Sequence, residues 1–247
     1  MPIAGQITVA QLRNYLLDNE LNQKRRDRLF IPFGGPRAEL LNGLRETIIH
    51  FVVNYQDSLR DSLILDYGCG DRPYQLAFEC INAKIVGADI GYNPTSDIQV
   101  SENYGLPFRG SSFDFITSFQ VLEHTQVPHN YLLECYRVLK PGGNLFLTTH
   151  GVWPYHPTPG DYHRWTEAGL ILDFQRSGFS VEKTQGILNE NSALIQALVA
   201  NLYYRKKLTG LKKYVHHLSQ IMIKRSERGW KRHSDIPAII AIEAKKI

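Results

Sequence analysis

Short apolar segments alternate with helical stretches over most of the chain after residue 62. The apolar runs are bounded by Gly, Asp or Pro, which is typical of buried strands. Between the runs, apolar residues recur at three- and four-residue spacing, which predicts helices. This alternation predicts an α/β protein built from parallel βαβ units, with helices on both faces of the sheet. We predict strands at Leu63–Asp66, Ile85–Ala88, Phe113–Ser118, Leu145–Thr149, Phe179–Thr184 and Ala238–Glu243.

Helical periodicity also precedes and interrupts the alternating pattern. The predicted helices lie at Val9–Arg28, Arg37–Asp57, Tyr74–Ile81, Pro128–Leu139 and Thr166–Arg176. Two more helices are expected between 191 and 233, the first apolar nearly all round and the second rich in Lys, Arg and His. The pattern therefore divides the chain into an N-terminal helical extension (1–61), a main domain (62–190 with 236–247) and a basic helical insertion (191–235).

Composition narrows the class of protein. The 247 residues are 43% hydrophobic and 21% charged, which predicts a folded chain. Three cysteines without a C-x-x-C pair fit a reducing compartment. Neither a signal peptide nor an apolar run long enough to span a bilayer is visible, so we expect a cytoplasmic protein.

Charge is distributed unevenly along the chain. The formal net charge of +4 is too small for a dedicated nucleic-acid binder, and no specific nucleic acid is expected as a partner. Residues 201–235 carry +8, whereas the remainder of the chain carries −4. Our hypothesis is that this insertion makes peripheral contact with an anionic membrane, a phosphorylated carrier lipid or a partner protein. A solvated basic face on a substrate lid is the alternative.

A glycine turn follows the first predicted strand. Gly68 and Gly70 are spaced G-x-G, and glycines there allow a tight turn and close approach of a ligand to the backbone. Asp66, at the end of the strand, has the wrong sign for a cofactor phosphate. A carboxylate suits instead a cofactor with a cationic amino-acid end, such as S-adenosylmethionine. Asp89 ends the next strand, near the offset at which an acidic residue binds ribose hydroxyls.

At this point the motifs together resemble a known family. The chain is similar to class I S-adenosylmethionine-dependent methyltransferases, specifically the type 11 group, from about Ser62 to Thr184 and in the last strand. The matching pieces are Leu65–Gly70, Asp89, Leu106–Phe108, Ser112–Asp114, Val121–His124 and Glu134–Gly143. The resemblance implies a Rossmann-like, doubly wound, mostly parallel sheet of seven strands, with the helical insertion before the last strand.

The resemblance also implies cofactor contacts for S-adenosylmethionine. The turn borders the methionine end, the end of the second strand binds the ribose, a polar pair binds the adenine, and the end of the fourth strand closes over the cofactor. The residues concerned are Asp66, Gly68, Cys69, Gly70, Asp89, Ile90, Glu102, Asn103, Phe119 and Gln120. The chain departs from the family pattern at Arg72-Pro73, where the usual pair is small or glycine.

His124 is a candidate base near the cofactor. In some relatives that act on quinone precursors, a Glu-x-x-Glu-His cluster at this place holds magnesium. Here Gln120 replaces the first Glu, and magnesium needs anionic oxygen ligands, so we predict no metal. A packing role at the start of a helix is the alternative for His124.

An unusual aromatic loop follows the fifth predicted strand. It runs from His150 to Thr166 at the carboxyl end of a strand, where ligands bind in open α/β sheets. Its histidines titrate near neutrality and could take a hydroxyl proton, and its aromatic rings suit sugars or flat acceptors. Similar loops occur in type 11 enzymes linked with polysaccharide or lipid-sugar modification. The catalytic candidates are His124, His150, His156 and His163, and the substrate candidates are Trp153, Tyr155, Asp161, Tyr162, Arg164 and Trp165.

The function predicted is O-methylation of a small-molecule, sugar or lipid-linked hydroxyl acceptor, with a histidine as base. N-methylation of a base amine is disfavoured because 118–121 lacks the Asn/Asp-Pro-Pro-aromatic tetrad. An NAD dehydrogenase is disfavoured by Pro73, which occupies the place of a third glycine. A non-catalytic cofactor-binding or scaffold protein with the same fold stays open as the alternative.

Overall fold

A computed structural model describes residues 3, 5–18, 29, 37–101, 105–204, 211–228 and 236–247. The strands are β1 (Leu63–Tyr67), β2 (Lys84–Ile90), β3 (Ile98–Val100), β4 (Phe113–Phe119), β5 (Leu139–His150), β6 (Phe179–Ile187) and β7 (Ile239–Lys246). The helices are α1 (Val9–Asp18), α2 (Ala38–Asn54), α3 (Gln56–Leu59), α4 (Gln75–Glu79), α5 (Pro128–Val138), α6 (Glu167–Arg176), α7 (Glu190–Tyr204) and α8 (Lys212–Ser226). A 3₁₀ turn covers Leu122–His124.

The strands form one seven-stranded sheet in the order β3-β2-β1-β4-β5-β7-β6. Strands β1 to β5 pair in parallel, and β7 lies antiparallel between β5 and β6. The doubly wound α/β prediction, with seven mostly parallel strands, is therefore confirmed. The order reverses at β1 and β4, which places a ligand crevice at their carboxyl ends.

Several predicted elements have other bounds in the structure, and two of the differences have a clear cause. Strand β5 begins at Leu139 rather than Leu145, because Leu139 already pairs with Phe113 before a shift in register. The predicted helix Arg37–Asp57 is interrupted at Tyr55, whose backbone leaves helical geometry and whose hydroxyl donates to Glu243 of β7 at 2.9 Å. The short strand β3 was not predicted at all, since three residues are too few to show a periodic pattern.

Both faces of the sheet are covered. On one face Phe51 of α2 stacks on Phe146 of β5, with ring centroids 4.1 Å apart. On the other face Tyr131 of α5 stacks on Tyr67 of β1 at 4.2 Å. The described part of the N-terminal extension therefore supplies core packing for the sheet. The predicted part of α1 beyond Asp18 lies outside the described residues, and the division of the chain into domains stays a prediction.

The insertion forms a pair of packed helices. Gln220 of α8 donates to Gln196 of α7 at 3.2 Å, and its Oε1 accepts from the backbone N–H of Glu39 at the start of α2. Helix α7 buries Val199 but leaves Leu198 62% exposed, so its nearly all-round apolar character includes an uncovered face. Within the described part of the chain, no helix combines the length and apolarity needed to cross a membrane.

Candidate active site

A cavity of about 620 Å³ opens at the carboxyl ends of the parallel strands. This volume is within the range of small-molecule and cofactor sites. Residues at the ends of β1, β2, β4 and β5 form its floor, and the first two turns of α2 form an apolar wall. The wall residues are Leu40, Leu41 and Leu44, with Arg37 at its edge.

The glycine turn forms one end of the cavity. Gly68 and Gly70 have φ values of +79° and +50°, which residues with a side chain rarely adopt. A Cβ at Gly68 would lie 2.3 Å from Cγ2 of Val121, so the turn needs glycine there. At Gly70 nothing lies within 4 Å of the Cβ position, so the backbone is open to a ligand.

Asp89 lies beside this turn at the end of β2. Its Oδ2 accepts from the backbone N–H of Gly70 at 3.0 Å and from Asn93 Nδ2 at 2.6 Å, and its Oδ1 accepts from the Ile90 N–H. The carboxylate is therefore fixed in place at the cavity, as ribose binding requires. Gly68, Gly70, Asp89 and Ile90 all line the cavity.

Asp66 occupies a different place from the one expected. Successive residues of a strand point to opposite faces, and Tyr67 takes the cavity side. Asp66 is buried beneath the turn, where Thr117 Oγ1 donates to it at 3.1 Å, and it lines a separate small void with Phe119. Burial raises its pKa to about 6, although the Thr117 hydrogen bond and the Arg72 charge oppose that shift.

Cys69 is buried within the turn and does not line the cavity. Burial, together with the nearby Asp66 and Asp89, raises the pKa of its thiol to about 12. The thiol therefore stays protonated at neutral pH. The predicted adenine-binding pair, Glu102 and Asn103, lies outside the described residues.

Phe119 and Gln120 line the cavity at the end of β4. Gln120 has a φ of +60°, a conformation that is costly without glycine. Its backbone N–H and its Nε2 donate to the carbonyl and the hydroxyl of Thr148. Its buried Oε1 has no hydrogen-bond donor among the described residues, so an acceptor is held ready beside the cavity.

Three of the predicted histidines line the cavity together: His124, His150 and His156. The rings of His124 and His156 are 5.1 Å apart, and those of His150 and His156 are 6.1 Å apart. Trp153 stacks flat on His150 with its ring centroid 5.1 Å away. The end of β5, the 3₁₀ turn and the aromatic loop thus meet at one place.

The tautomer of His124 follows from its contact. Its Nδ1 lies against the carbonyl of Gly160, which can only accept a hydrogen bond. The proton of the neutral ring is therefore on Nδ1, and Nε2 carries the lone pair. A ring held in this way has the arrangement of a general base.

The neighbouring histidines are kept neutral. Burial, followed by the charges of Arg164 and His156, lowers the pKa of His150 to about 3. Burial and the neighbouring His124 lower the pKa of His156. Glu123 lies behind His150, with Oε1 3.6 Å from His150 Nε2, and burial raises the pKa of this carboxyl.

The remaining predicted site residues of the loop do not line the cavity, although Thr158 and Pro159 of the same loop do. His163 faces the carbonyl of Gln126 and packs on Trp165, and Trp165 donates to Asp173. Tyr155 and Tyr162 are 72% and 54% exposed. Asp161 and Arg164 pair with each other and brace the loop. Of the six predicted substrate contacts, all of them among the described residues, Trp153 alone lines the cavity. The predicted catalytic residue His163 does not line it either.

Sequence reasoning missed the wall supplied by α2. Leu40, Leu41 and Leu44 belong to the apolar stripe that predicts the helix Arg37–Asp57, and such a stripe gives no sign that part of it faces a ligand. Arg37, immediately before α2, has a left-handed backbone with a φ of 65°. This backbone conformation is uncommon for a residue other than glycine, and it is visible in the structure but not in the sequence pattern.

The cavity fits the cofactor that the motifs predict. The open glycine turn allows a close approach to the backbone, and the fixed Asp89 carboxylate is an acceptor for hydroxyls. The Oε1 of Gln120, which has no donor among the described residues, is an acceptor for an ammonium group. Asp89 would hold the ribose of the cofactor, and the glycine turn would hold its amino-acid end. Phe119 would close over the cofactor. When bound, S-adenosylmethionine supplies an electrophilic methyl group on a sulfonium.

Comparisons with known proteins identify the family. A family model described as "Methyltransferase domain" matches residues 38–184. The chain is 31% identical to the ubiquinone biosynthesis O-methyltransferase of Nitrosococcus oceani over 123 residues, which cover 44% of this chain and 50% of that relative. The chain thus spans about half the length of the curated relatives that it matches.

Solved structures agree on the fold. The cyclase SpnF superposes with a TM-score of 0.56 at 16% identity, covering 100% of this chain and 99% of the other. The Haemonchus contortus Phospholethanolamine N-methyltransferase 2, in complex with phosphomonomethylethanolamine and S-adenosylhomocysteine, gives 0.56 at 14% identity, covering 95% of this chain and 60% of the other. With the glycine turn, the carboxylate at the end of β2 and the family match over 38–184, the chain belongs to the class I S-adenosylmethionine-dependent methyltransferases.

Proposed function

We propose that this enzyme methylates a hydroxyl oxygen of an apolar, lipid-linked or sugar acceptor, with His124 as the general base. The observation that carries the proposal is the contact between His124 Nδ1 and the Gly160 carbonyl, which leaves Nε2 free to take a proton. A hydroxyl acceptor needs such a base because a hydroxyl group is a weak acid and stays protonated at neutral pH.

The lining of the cavity supports an acceptor with an apolar body. Leu40, Leu44 and Ile239 line it along with the Trp153 ring. An aromatic face and aliphatic side chains suit a flat ring or a lipid chain. The curated relatives named for ubiquinone biosynthesis O-methylation support oxygen as the acceptor atom.

The roles of the chain's own residues follow from this arrangement. The α2 wall and Trp153 hold the acceptor, and His124 Nε2 accepts its hydroxyl proton. His150 and His156 remain neutral, so they add no positive charge where a proton must be taken up. Proximity and proton removal are the two contributions that a methyl transfer requires of the protein.

The test is a transfer assay with tritiated S-adenosylmethionine and a panel of phenolic, sugar and polyprenyl hydroxyl acceptors. His124→Gln should lose about 10²- to 10⁴-fold in kcat while keeping its affinity for S-adenosylhomocysteine. His129→Gln is the matched control, because His129 lies on α5 against Ser177 and does not line the cavity. Cofactor binding by the wild type without transfer to any acceptor would favour the non-catalytic alternative.

We also propose that the paired helices α7 and α8 dock on an anionic lipid surface. Leu211, Tyr214, Leu218 and Met222 are each more than half exposed and follow one another at three- and four-residue spacing along α8. They therefore form one apolar stripe, which continues into the exposed basic residues near the end of the helix. Apolar side chains beside cations are the pattern of interfacial helices.

The docking proposal predicts salt-sensitive sedimentation with vesicles of phosphatidylglycerol and phosphatidylcholine, but not with phosphatidylcholine alone. Leu218→Glu should reduce binding by at least about tenfold, since burying one leucine contributes roughly 1.5–3 kcal/mol. Leu172→Glu is the control, because Leu172 is 44% exposed on α6. Equal loss in both variants, or no vesicle binding by the wild type, would contradict docking through α8.

A further inference from the structure

Arg72 is a buried cation beneath the cofactor turn, at the position where the chain departs from the family pattern. Its side chain is only 8% exposed. Its backbone has a φ of 52°, and its N–H donates to the Cys69 carbonyl at 2.8 Å. A long charged side chain enclosed at this point needs partners, because burying an unpaired charge is costly.

The partners come from β2 and from the loop that follows it. Nη2 of Arg72 lies 2.5 Å from Oδ2 of Asp97. The same oxygen accepts from the backbone N–H of Gly87 at 2.8 Å. The guanidinium lies flat against Gly87, since a Cβ there would be 2.4 Å from Nη2. Arg72 thus joins the turn after β1 to the middle of β2 and to Asp97.

The charge of Arg72 also acts on the buried carboxyl of Asp66, whose pKa it lowers. The groups that act on the Asp66 carboxyl include Arg72 from the turn, Thr117 from β4 and Asp89 from β2, and the Cys69 thiol and the Tyr131 hydroxyl are also close enough to interact with it. Arg72 and Thr117 favour the ionised carboxyl, whereas burial and Asp89 oppose it. Among these groups, Arg72 is the cation. Removing that charge would leave the Thr117 hydroxyl as the group that favours the ionised carboxyl among those just named.

We propose that Arg72 is a positioning residue for the cofactor: its guanidinium locks the glycine turn onto β2 and supplies the positive charge that balances Asp66 beneath the turn. An ionised Asp66 close to the turn attracts the cationic amino-acid end of the cofactor. A turn locked to β2 keeps Gly70 and Asp89 in register, because Gly70 N–H donates to Asp89. Arg72 therefore acts on the cofactor through Asp66 and Asp89, without contacting it.

The two contributions can be separated by substitution. Arg72→Gln removes the charge, and Arg72→Lys keeps the charge but not the flat, forked group. Asp97→Asn weakens the lock but leaves the Arg72 charge in place, and Asp97 is half exposed, so this variant should fold. Asp66→Asn removes the carboxyl that the charge balances.

The experiment is calorimetric titration of the full chain with S-adenosylmethionine and S-adenosylhomocysteine between pH 5.5 and pH 9. Arg72→Gln should weaken binding by at least about tenfold at pH 7, with the deficit shrinking as the pH rises and Asp66 ionises. Arg72→Lys should regain the wild-type pH profile but not the full affinity. Asp97→Asn should lose about three- to tenfold at every pH. In an Asp66→Asn background, Arg72→Gln should add no pH dependence.

Three results would overturn the proposal. These are wild-type binding by Arg72→Gln, a loss in that variant that is the same at every pH, or a lysine variant with the pH profile of the glutamine variant. Each would leave Arg72 a merely structural residue. Should Arg72→Gln not fold, Arg72→Lys and Asp66→Asn decide: the pH dependence of the wild-type Kd must persist in the first and disappear in the second. Failure on either count sinks the proposal.

Discussion

The pair between Arg164 and Asp161 should control whether the aromatic loop closes over the cavity. Arg164 donates to both oxygens of Asp161 and to the carbonyls of Trp153 and Pro154. The Asp161 side chain is 2% exposed, so Arg164→Gln would leave a buried carboxylate whose remaining donor among the described residues is the His156 N–H. Breaking a buried pair from one side costs about 3 kcal/mol or more.

That cost should appear as opening of the loop. A penalty of about 3 kcal/mol corresponds to a roughly 100-fold increase in the open population. Tyr155 and Tyr162 are exposed chymotrypsin sites within the loop, and cleavage of a rapidly opening segment follows its open population. Arg164→Gln should therefore be cleaved about 100-fold faster there, whereas its affinity for S-adenosylhomocysteine should change little, because the glycine turn is a separate segment.

The control is the double variant Asp161→Asn with Arg164→Gln. It removes the uncompensated carboxylate as well as the cation, so most of the protection should return. Arg176→Gln, an exposed substitution at the end of α6, should cleave like the wild type. Cleavage of Arg164→Gln within about threefold of the wild type would refute the reasoning, as would a double variant as open as the single one.

Three further outcomes follow from the geometry. Gly68→Ala should abolish cofactor binding in calorimetry, because its Cβ would meet Val121 at 2.3 Å and its φ of +79° is strained for alanine. Tyr55→Phe should lower the free energy of unfolding in urea by about 1 kcal/mol through loss of the hydrogen bond to Glu243. The folded-state pKa of Asp66 is raised to about 6, so its ionisation opposes folding, and this cost grows as the pH rises from about 4 to 6. Asp66→Asn should therefore be more stable than the wild type by about 3 kcal/mol at pH 7 to 8 and not at pH 4, and equal stability at both pH values would contradict the assignment.

The sheet was predictable because its buried strands form continuous apolar runs. Strand β1, with four of its five residues buried, is the clearest case. The glycine turn and the Asp89 carboxylate were predictable for a related reason, since parallel strands bring their carboxyl ends to one edge. Strand β3 was not predictable from the sequence because it is a three-residue strand at the edge of the sheet.

The side of a loop that faces a ligand could not be predicted in this way. Histidines 150, 156 and 163 have equal standing in the sequence, yet the last points away from the cavity. Its placement depends on the N–H groups of Tyr162 and His163, which both donate to the Glu123 carbonyl. Contacts over such a separation leave no local pattern. The α2 wall was missed for the same reason, because its contact with the site is made only by the folded chain.

The electrostatics of the cavity divide it into two unlike ends, and this division suits the chemistry. At the turn, the cavity is lined by Asp89, whose carboxylate is fixed, and by Gln120, whose buried Oε1 has no donor among the described residues. At the loop, burial keeps His150 and His156 neutral, although the His156 ring lies 5.1 Å from the His124 ring and 6.1 Å from the His150 ring. Protonating one ring disfavours protonation of the others. His150 and His156 therefore bring no positive charge of their own to the end of the cavity where we propose that a hydroxyl proton is taken up.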